Sequence, residues 1–528
     1  MTAPASDPGR VDARSGVRLA ELIGTLSLAV DLGLGQPMEH VARSCLLATR
    51  LGEQVGLDDD ERAAVYYIAL LGWVGCIADS PEVEPWFGDD IAYRAGVFDI
   101  DMAPLPFLGY LLRSVTPELS AARRLGIRTT IVGTGARGVK ASLRAHCHVT
   151  ARIADRLGLG EAVSEPLAQI FARWDGKGLP AGLHGDRIAR SIRLWQLCDV
   201  VEVHHRRSGV DAAVRVARER RGTQFDPALV DAFAANAVAL FASLPDSSAW
   251  GDLIAAEPGL HPELSQEELD SALEVLADYS DLKAPGLRGH SRQVAELAAA
   301  AAHRLGLPAS EVRLIRRAAL VHDLGRTGTP NTILEKVGPL TEAERERVRL
   351  HPYFTERMFQ HPEELRRIGE IAAKAHERLD GSGYHRGLTA HAIPMAARIL
   401  AAANEFCTFL QPRSGTHSGA DAAVKLTAAV AAGQLDAGAV DAVLACAGQQ
   451  PDRRPTGPAG LTAREMEVLA VLARGATNRQ IADRLGITVK TAGNHVERIY
   501  AKTGVGTRAT ATLFAMQHGL LDRLDPIG

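Results

Sequence analysis

The segment from Leu461 to Leu521 constrains the fold more than any other part of the chain, because it holds four short amphipathic helical patterns. They are interrupted at Gly475, Gly486 and Gly504, where glycine can adopt the positive φ that ends a helix. Within it, IADRLGI followed by TVKTAGNHVERIY predicts a helix, a glycine-containing turn and a second helix. The second helix of such a helix-turn-helix unit lies in the DNA major groove. The chain is therefore predicted to end in a DNA-binding domain.

The second helix of this unit is predicted to have one buried face and one DNA-facing face. The inward residues are expected to be Val489, Val496, Ile499 and Tyr500, after a cap at Thr488. The residues predicted to reach base edges or phosphates are Lys490, Thr491, Asn494 and Arg498. We expect Thr477 and His495 to contact the DNA backbone, and Asn478 to cap the preceding helix beside the DNA.

Charge agrees with this prediction, because the segment from Leu461 to Gly528 has nine Lys and Arg against six Asp and Glu, about +3, while the whole chain has −4. The alternative is a small helical protein-binding domain. The segment resembles the LuxR/GerE type of DNA-binding domain over its full length. The resemblance implies a four-helix domain that binds double-stranded DNA as a homodimer, with the helix near Ala509 in the pairing surface. Ala492 departs from the family, which more often has Val there.

The composition indicates an ordinary globular protein of about three domains that is essentially all-α. No apolar run is long enough for a membrane span, and residues 1–15 form a polar tail, expected to be disordered, without a secretory signal. The six cysteines contain no CxxC pair and are predicted to be buried thiols in a reducing cytoplasm. A Pro- and Gly-rich linker is predicted over 449–460, and a weaker boundary over 245–264.

The region from Tyr279 to Gly448 contains an ordered set of His and Asp motifs, including ALVHDLGRTG, LHPYF, AHERLDGSGY and AAANEF. This order resembles the HD-GYP family of metal-dependent phosphohydrolases. The resemblance implies two-metal phosphodiester hydrolysis. It assigns as metal ligands His290, His322, Asp323, His351 and His376.

Two positions of this region depart from the HD-GYP pattern. Ala375 replaces a ligand histidine, and Asn404 replaces a closing aspartate. Alanine has no lone pair, and a neutral amide is a poor ligand for a hard or borderline cation. We therefore expect at most one divalent metal, Fe or Mn, in 265–448. If the domain is active, Asp323 and Arg326 are the candidate catalytic residues. The alternatives are an active hydrolase, an inactive metal- or ligand-binding domain, and a structural remnant.

The N-terminal half carries a diverged copy of the same pattern. His40 precedes Gly72 by 32 residues, as His290 precedes His322. Asp199 follows Asp175 by 24 residues, as Asn404 follows Asp380. Matching spacings indicate an internal duplication. His148 is interpreted as the counterpart of His351, and Phe171 with Ala172 as replacing the histidine pair. An insertion near 77–140 has no readable chemistry, and a composite site completed by Asp199 is a minor alternative.

The predicted organisation is a tail (1–15), a degenerate HD-GYP-like domain (16–250), an HD-GYP-like domain (265–448), a linker (449–460) and a LuxR-type helix-turn-helix domain (461–528). The predicted function is a cytoplasmic transcriptional regulator whose HD-GYP-like domains sense a ligand, for example a small nucleotide, or mediate dimerisation. The alternatives are an active phosphohydrolase of the cyclic dinucleotide class, such as one acting on cyclic di-GMP, fused to a DNA-binding domain, and a constitutive DNA-binding protein. The lost ligands weigh against the enzyme.

Overall fold

A computed structural model describes residues 14–116, 120–245, 247–259, 263–411, 417–449, 458–505, 507–518 and 520. The regular secondary structure of the described residues is helical apart from two short strands, which confirms the all-α prediction. They divide into two compact units, Met1–Gly448 and Gln449–Gly528. None of the helices among the described residues is both long and apolar enough to cross a bilayer.

The first half of the larger unit begins with strand β1 (Arg14–Arg18), so Arg14 and Ser15 belong to a sheet and not to the predicted disordered tail. Residues 1–13 lie outside the described part. The helices that follow are α1 (Leu19–Gly33), α2 (His40–Gln54), α3 (Asp59–Leu71), α4 (Ser80–Phe87), α5 (Asp90–Ala95), α6 (Pro104–Ser114), α7 (Ala121–Arg156), α8 (Glu161–Leu167), α9 (Arg190–Glu219), α10 (Pro227–Ala242) and α11 (Trp250–Ala255).

The second half of the larger unit begins with strand β2 (Glu263–Ser265), which pairs antiparallel with β1. The helices that follow are α12 (Gln266–Asp281), α13 (His290–Arg304), α14 (Ala309–Val321), α15 (Asn331–Leu334), α16 (Glu342–Arg349), α17 (His351–Met358), α18 (Glu363–Ala372), α19 (Met395–Phe409), α20 (Gly419–Ala431) and α21 (Ala437–Cys446). One continuous hydrophobic core runs through both halves. The predicted boundary at 245–264 contains α11, whose Leu253 is fully buried, so its described part is not an open linker.

The two halves repeat the same arrangement of helices, as the matching spacings indicate. Helices α2 and α13 each have 15 residues, and α3 and α14 each have 13. The residue before each of these first helices has a left-handed backbone conformation, with φ of 76° at Glu39 before α2 and 75° at Gly289 before α13. A 3₁₀ helix follows each second helix, Val74–Ile77 in the first copy and Leu324–Gly328 in the second. These features support the duplication.

The counterpart of His351 is His146, and the assignment of His148 was wrong. In each copy a glycine N–H donates to a threonine hydroxyl at 3.0 Å; the pairs are Gly75 with Thr150 and Gly325 with Thr355. The histidine four residues before that threonine is His146 in the first copy and His351 in the second. Both histidines are buried, whereas His148 is exposed.

The close approach at these two glycines gives a stability prediction. A Cβ at Gly325 would lie 2.0 Å from the carbonyl oxygen of His351, and one at Gly75 would lie 2.3 Å from that of His146. We expect Gly325→Ala and Gly75→Ala each to lower the free energy of unfolding by about 1–3 kcal/mol, as overpacking does. Urea unfolding of the full chain measures this. Gly126→Ala in α7, with nothing within 4 Å, is the control. Equal urea midpoints of unfolding for all three variants would contradict the close packing at Gly325 and Gly75.

A buried charge network connects the insertion to the second copy. The Lys283 ammonium lies 2.7 Å from Oδ2 of Asp90, and both side chains are at most 1% exposed. The backbone N–H of Asn331 donates to Oδ1 of Asp90 at 2.9 Å, and Arg94 donates to Oδ2 at 2.7 Å. Burial opposes ionisation of Asp90, but these two cations hold its pKa well below the usual range. The insertion therefore anchors the two halves to each other.

The smaller unit contains four helices, α22 (Ala463–Ala473), α23 (Asn478–Leu485), α24 (Val489–Thr503) and α25 (Arg508–Gln517), in the predicted order. Its core includes Leu469, Ile481, Ala492 and Ile499. Left-handed Gly486 and Gly504 end α23 and α24. Most of the predicted linker, 450–457, lies outside the described residues.

The cysteines form no disulfide among the described residues. Cys45, Cys198 and Cys407 are buried as predicted, and Cys76 and Cys147 are partly buried. Cys446, the last residue of α21, is exposed, so the prediction of six buried thiols was wrong there.

Candidate metal centre and nucleic-acid interface

The residues predicted as metal ligands lie together in the second copy, although they are far apart in sequence. His290 and His351 begin α13 and α17, while His322 and Asp323 directly follow α14. His376 follows α18 and is partly buried, whereas the other four residues are at most 3% exposed. The first residues of two helices and the segments that follow two others therefore bring the five side chains together.

Asp323 lies at the centre of this cluster. Its carboxylate oxygens are 3.3–4.0 Å from the Nε2 atoms of His290, His322, His351 and His376. Two overlapping groups have their ligand atoms within 4.8 Å of one another, namely His290, His322, Asp323 and Asp323, His351, His376. Asp323 belongs to both groups, which is the position of a carboxylate that could bridge two ions.

Hydrogen bonds to the backbone orient two of the imidazoles toward this centre. Nδ1 of His322 donates to the carbonyl of Ala319, and Nδ1 of His351 donates to that of Val348, each at 2.7 Å. A carbonyl can only accept, so Nδ1 carries the proton and Nε2 keeps its lone pair. Partners of this kind fix the tautomer and orientation of metal-binding histidines.

The protonation states also suit a cation. Burial lowers the pKa of His290 to about 3 and that of His376 to about 4, so both are neutral near pH 7. Burial would raise the pKa of Asp323, but Arg326 and the neighbouring histidines hold it well below the usual range. Oδ1 of Asp323 and Nε2 of His351 have no hydrogen-bond donor among the described residues, while Oδ2 of Asp323 is ion-paired with Arg326 at 2.8 Å. Unsatisfied buried acceptors of this kind fit a bound divalent cation.

Asn404 and Ala375 limit what the cluster can hold. Oδ1 of Asn404 lies 3.1 Å from Nε2 of His290 and 3.2 Å from Nε2 of His322. Since Nε2 of His322 has no proton, it and Oδ1 of Asn404 are both acceptors and do not form a hydrogen bond with each other. A cation between these two atoms would remove the repulsion, and so would exchange of the Asn404 amide oxygen and nitrogen. Ala375 is buried and offers no ligand atom. The group of His290, His322, Asp323 and Asn404 therefore fits one ion better than the second group does.

The loop after His376 contributes residues that the motif alone did not identify as part of the site. The Tyr384 ring stacks on the His376 ring at 4.8 Å, and Glu377 accepts from the backbone N–H groups of Arg386 and Leu388. The sequence shows the Gly-Tyr motif but not this stacking. Arg326, a candidate catalytic residue if the domain is active, lies 2.8 Å from Oδ2 of Asp323.

Where the second copy has its metal cluster, the first copy has a buried histidine between two carboxylates. His40 is fully buried, with Nδ1 2.5 Å from Oε2 of Glu202 and Nε2 3.3 Å from Oδ1 of Asp199. Burial would lower the pKa of His40, but these two carboxylates raise it to about 10. Trp73, in the place of Asp323, donates from Nε1 to Asp199 at 2.9 Å. Asp199 is therefore paired with residues of the first copy, and a composite site in which it completes the ligands of the second copy is not supported.

Phe171 alone occupies the place of His376. Its ring meets that of His146 at 5.0 Å, as the ring of His376 meets that of His351 at 4.7 Å. Ala172 is therefore the counterpart of Glu377, and the pairing of Phe171 and Ala172 with a histidine pair was wrong by one residue. The motif that follows, Trp-Asp-Gly against Leu-Asp-Gly, contains the correct alignment.

Two details of the predicted helix-turn-helix differ from the structure. The cap of α23 is Thr477, whose hydroxyl accepts from the N–H of Gln480, while Asn478 is the first helical residue and accepts from Arg508 at 3.1 Å. Val489 is 52% exposed because α24 begins there, beyond the edge of the core. Ala492, which is fully buried, contributes to the core where Val489 was predicted to do so.

The predicted DNA-facing side of α24 is accessible. Lys490, Asn494 and Arg498 are exposed, while Thr491 and His495 are partly buried. The hydroxyl of Thr488 accepts from the N–H of Thr491, which caps α24 as predicted. Glu497, which the prediction omitted, is exposed beside Arg498. This face can present two cations and an amide to a nucleic acid.

Two family models match the chain. Residues 274–441 match the HD domain, and residues 459–515 match the bacterial regulatory proteins of the luxR family. These matches confirm the predicted combination of an HD-type region with a C-terminal LuxR-type domain. The HD match covers the metal cluster, and the luxR match covers all of α22 to α24.

Relatives support both assignments. The chain is 27% identical to a 3′3′-cGAMP-specific phosphodiesterase 3 of Vibrio cholerae over 74% of this chain and 85% of that protein. It is 44% identical to the response regulator protein VraR of Staphylococcus aureus over 12% of this chain and 29% of that protein. A crystal structure of the V. cholerae cyclic GMP-AMP phosphodiesterase V-cGAP3 matches with TM-score 0.58 and 24% identity, over 83% of this chain and 99% of that chain, which shows a shared fold.

Proposed function

We propose that this chain, which joins an HD domain to a luxR-family domain, is a DNA-binding transcriptional regulator. Its larger unit senses a ligand or mediates dimerisation, and its smaller unit binds double-stranded DNA as a homodimer. The observation that carries this proposal is the coincidence of the luxR match with an exposed, cation-bearing face of α24. A cytoplasmic location is part of the proposal.

Lys490→Ala and Arg498→Ala test the DNA contacts. A duplex ligand is first selected from a random library with the full chain, and its affinity is then measured from 50 to 200 mM salt. Each variant should bind more weakly, and where the contact is to phosphate the slope of log K against log salt should fall by about one unit.

The matched control is Arg345→Ala in α16 of the larger unit, which removes one exposed positive charge elsewhere. It should leave the affinity and its salt slope unchanged. Unchanged binding by both α24 variants would show that a different face meets DNA. An equal loss in the control would mean that only net charge matters.

A metal-dependent phosphohydrolase is the second candidate, favoured by the unsatisfied acceptors of the cluster. A divalent ion held by His290, His322 and Asp323 would supply Lewis-acid activation of a phosphodiester. Arg326 is placed to neutralise negative charge beside Asp323. The missing ligands at Ala375 and Asn404 favour a regulator without turnover.

Hydrolysis of 3′3′-cGAMP and cyclic di-GMP with Mn²⁺ or Fe²⁺ separates the two candidates. We expect no turnover by the natural chain above that of the Asp323→Asn variant. Turnover that this substitution abolishes would establish the enzyme and displace the regulator as the principal function of the larger unit.

A further inference from the structure

In the first copy, the region that corresponds to the metal cluster of the second copy opens into a cavity. Two adjoining cavities of about 170 and 550 Å³ surround Trp73. The residues that line both are Trp73, Met102, Phe107, Leu143 and Phe171. Among them, Trp73 stands in the place of Asp323 and Phe171 in the place of His376. The size of the larger cavity is typical of small-molecule sites.

The insertion forms the outer wall of this cavity. Met102 and Phe107 come from the start of α6 and the segment before it, and Leu143 comes from α7. Trp195 on α9 forms part of the inner wall, and it needs the absence of a side chain at Gly72, where a Cβ would lie 2.5 Å from its ring. Gly72, which corresponds to His322 of the second copy, leaves room for Trp195, and the helices of the insertion enclose the apolar space beside it.

Charged groups around the cavity are already paired with opposite charges. Arg94 lies 2.6 Å from Asp79, and Arg173 lies 3.1 Å from Asp175 and also contacts Asp101. Asp199 contacts His40. Lys177, which also lines the larger cavity, is 67% exposed and lies 3.8 Å from Asp175. The described lining therefore offers no buried cation without a carboxylate partner, which disfavours binding of a phosphate inside the cavity.

Three buried polar atoms of lining residues have no hydrogen-bond partner among the described residues, and one of them, Oδ1 of Asp199, is ion-paired with His40. The other two belong to neutral side chains. Nε1 of Trp195, which is 2% exposed, is a donor without an acceptor. Nε2 of His146 donates to the carbonyl of Gly72 at 2.9 Å, so its unpartnered Nδ1 is an acceptor. Such atoms are costly unless a ligand or water completes them.

We propose that this cavity binds an uncharged, largely apolar planar molecule that carries a carbonyl or hydroxyl group. The rings of Trp73, Phe107 and Phe171 would contact its apolar body, and the indole N–H of Trp195 would donate to its oxygen. The proposal deepens the proposed function, on which its regulatory meaning rests, because it assigns the sensed ligand a site and a chemical class. The insertion then has a role, as the wall of a sensor pocket.

The test uses the full chain and the neutral aromatic ketone 6-propionyl-2-dimethylaminonaphthalene, whose emission shifts to the blue in apolar surroundings. We expect one saturable site per chain. Leu143→Trp, which fills the shared part of the cavities, should weaken binding at least tenfold. Leu125→Trp on the same helix, where the leucine is 64% exposed and outside the cavity, should leave binding unchanged.

Trp195→Phe keeps the ring and removes the N–H, and we expect it to weaken binding about fivefold, as loss of one hydrogen bond does. It also keeps the test decisive if Leu143→Trp does not fold. Equal binding by the natural chain and Trp195→Phe, or displacement of the probe by 3′3′-cGAMP, would overturn the proposal. Duplex binding is measured on the same preparations, so a failed pocket with intact DNA binding is distinguishable from failure of the regulator.

Discussion

Asp323→Asn is expected to remove the divalent ion from the chain. Purified with Mn²⁺ and Fe²⁺ supplied, the natural chain should carry one metal ion, and the variant none. Asp323 supplies the only carboxylate within the described cluster; its Oδ1 has no hydrogen-bond donor, and its Oδ2 is ion-paired with Arg326. Replacing it leaves neutral ligands facing a dication in a buried site, which is unfavourable. Elemental analysis of the purified protein measures the ratio.

Two further variants make the metal measurement decisive. Asp380→Asn changes an exposed carboxylate in the same copy and should retain the metal. The double variant Ala375→His, Asn404→Asp should hold two ions, because it restores one ligand and one anion. A natural chain without metal beside a loaded double variant would show that the histidines are structural remnants. Two ions in the natural chain would show that the substitutions are tolerated.

Lys283→Met should destabilise the larger unit by about 3–5 kcal/mol, the cost of leaving one partner of a buried ion pair uncompensated. Asp90 is fully buried and would keep only Arg94 as a cationic partner. Urea unfolding of the full chain, followed by far-ultraviolet circular dichroism, gives the change.

Lys336→Met is the control for this prediction, since Lys336 pairs with Glu344 at 2.6 Å but is 31% exposed. It should cost at most about 1 kcal/mol. The double variant Lys283→Met, Asp90→Asn should recover part of the loss, because the buried charge is gone. Equal effects of the two Lys→Met changes would mean that the buried network does not hold the insertion to the second copy.

The features of the fold and the site that could be predicted from the sequence depend on local patterns. Helix periodicity and turn glycines predicted α22 to α25 in order. Spaced His and Asp motifs identified five side chains that the fold brings together around Asp323. Both signals work because helix ends and loop glycines have local requirements that a sequence displays directly.

The incorrect residue assignments occur where the alignment of the two copies or the first residue of a helix determines a side chain's position. HCHVT offers two histidines, and only the bond from Gly75 to Thr150 selects His146. Capping at Thr477 displaced Asn478 by one position, and the start of α24 exposed Val489. Contacts between distant segments, such as Asp90 with Lys283, have no local signature and could not be predicted.

DNA occupancy in the cells that express this protein is the direct test of whether it regulates transcription through α24. Crosslinking and sequencing of the bound DNA would be compared for the natural chain and the Lys490→Ala, Arg498→Ala double variant. A regulator that acts through α24 should occupy discrete sites that share one sequence, and the double variant should lose them. Absence of enriched sites, or the same sites in both proteins, would contradict a regulator that acts through α24.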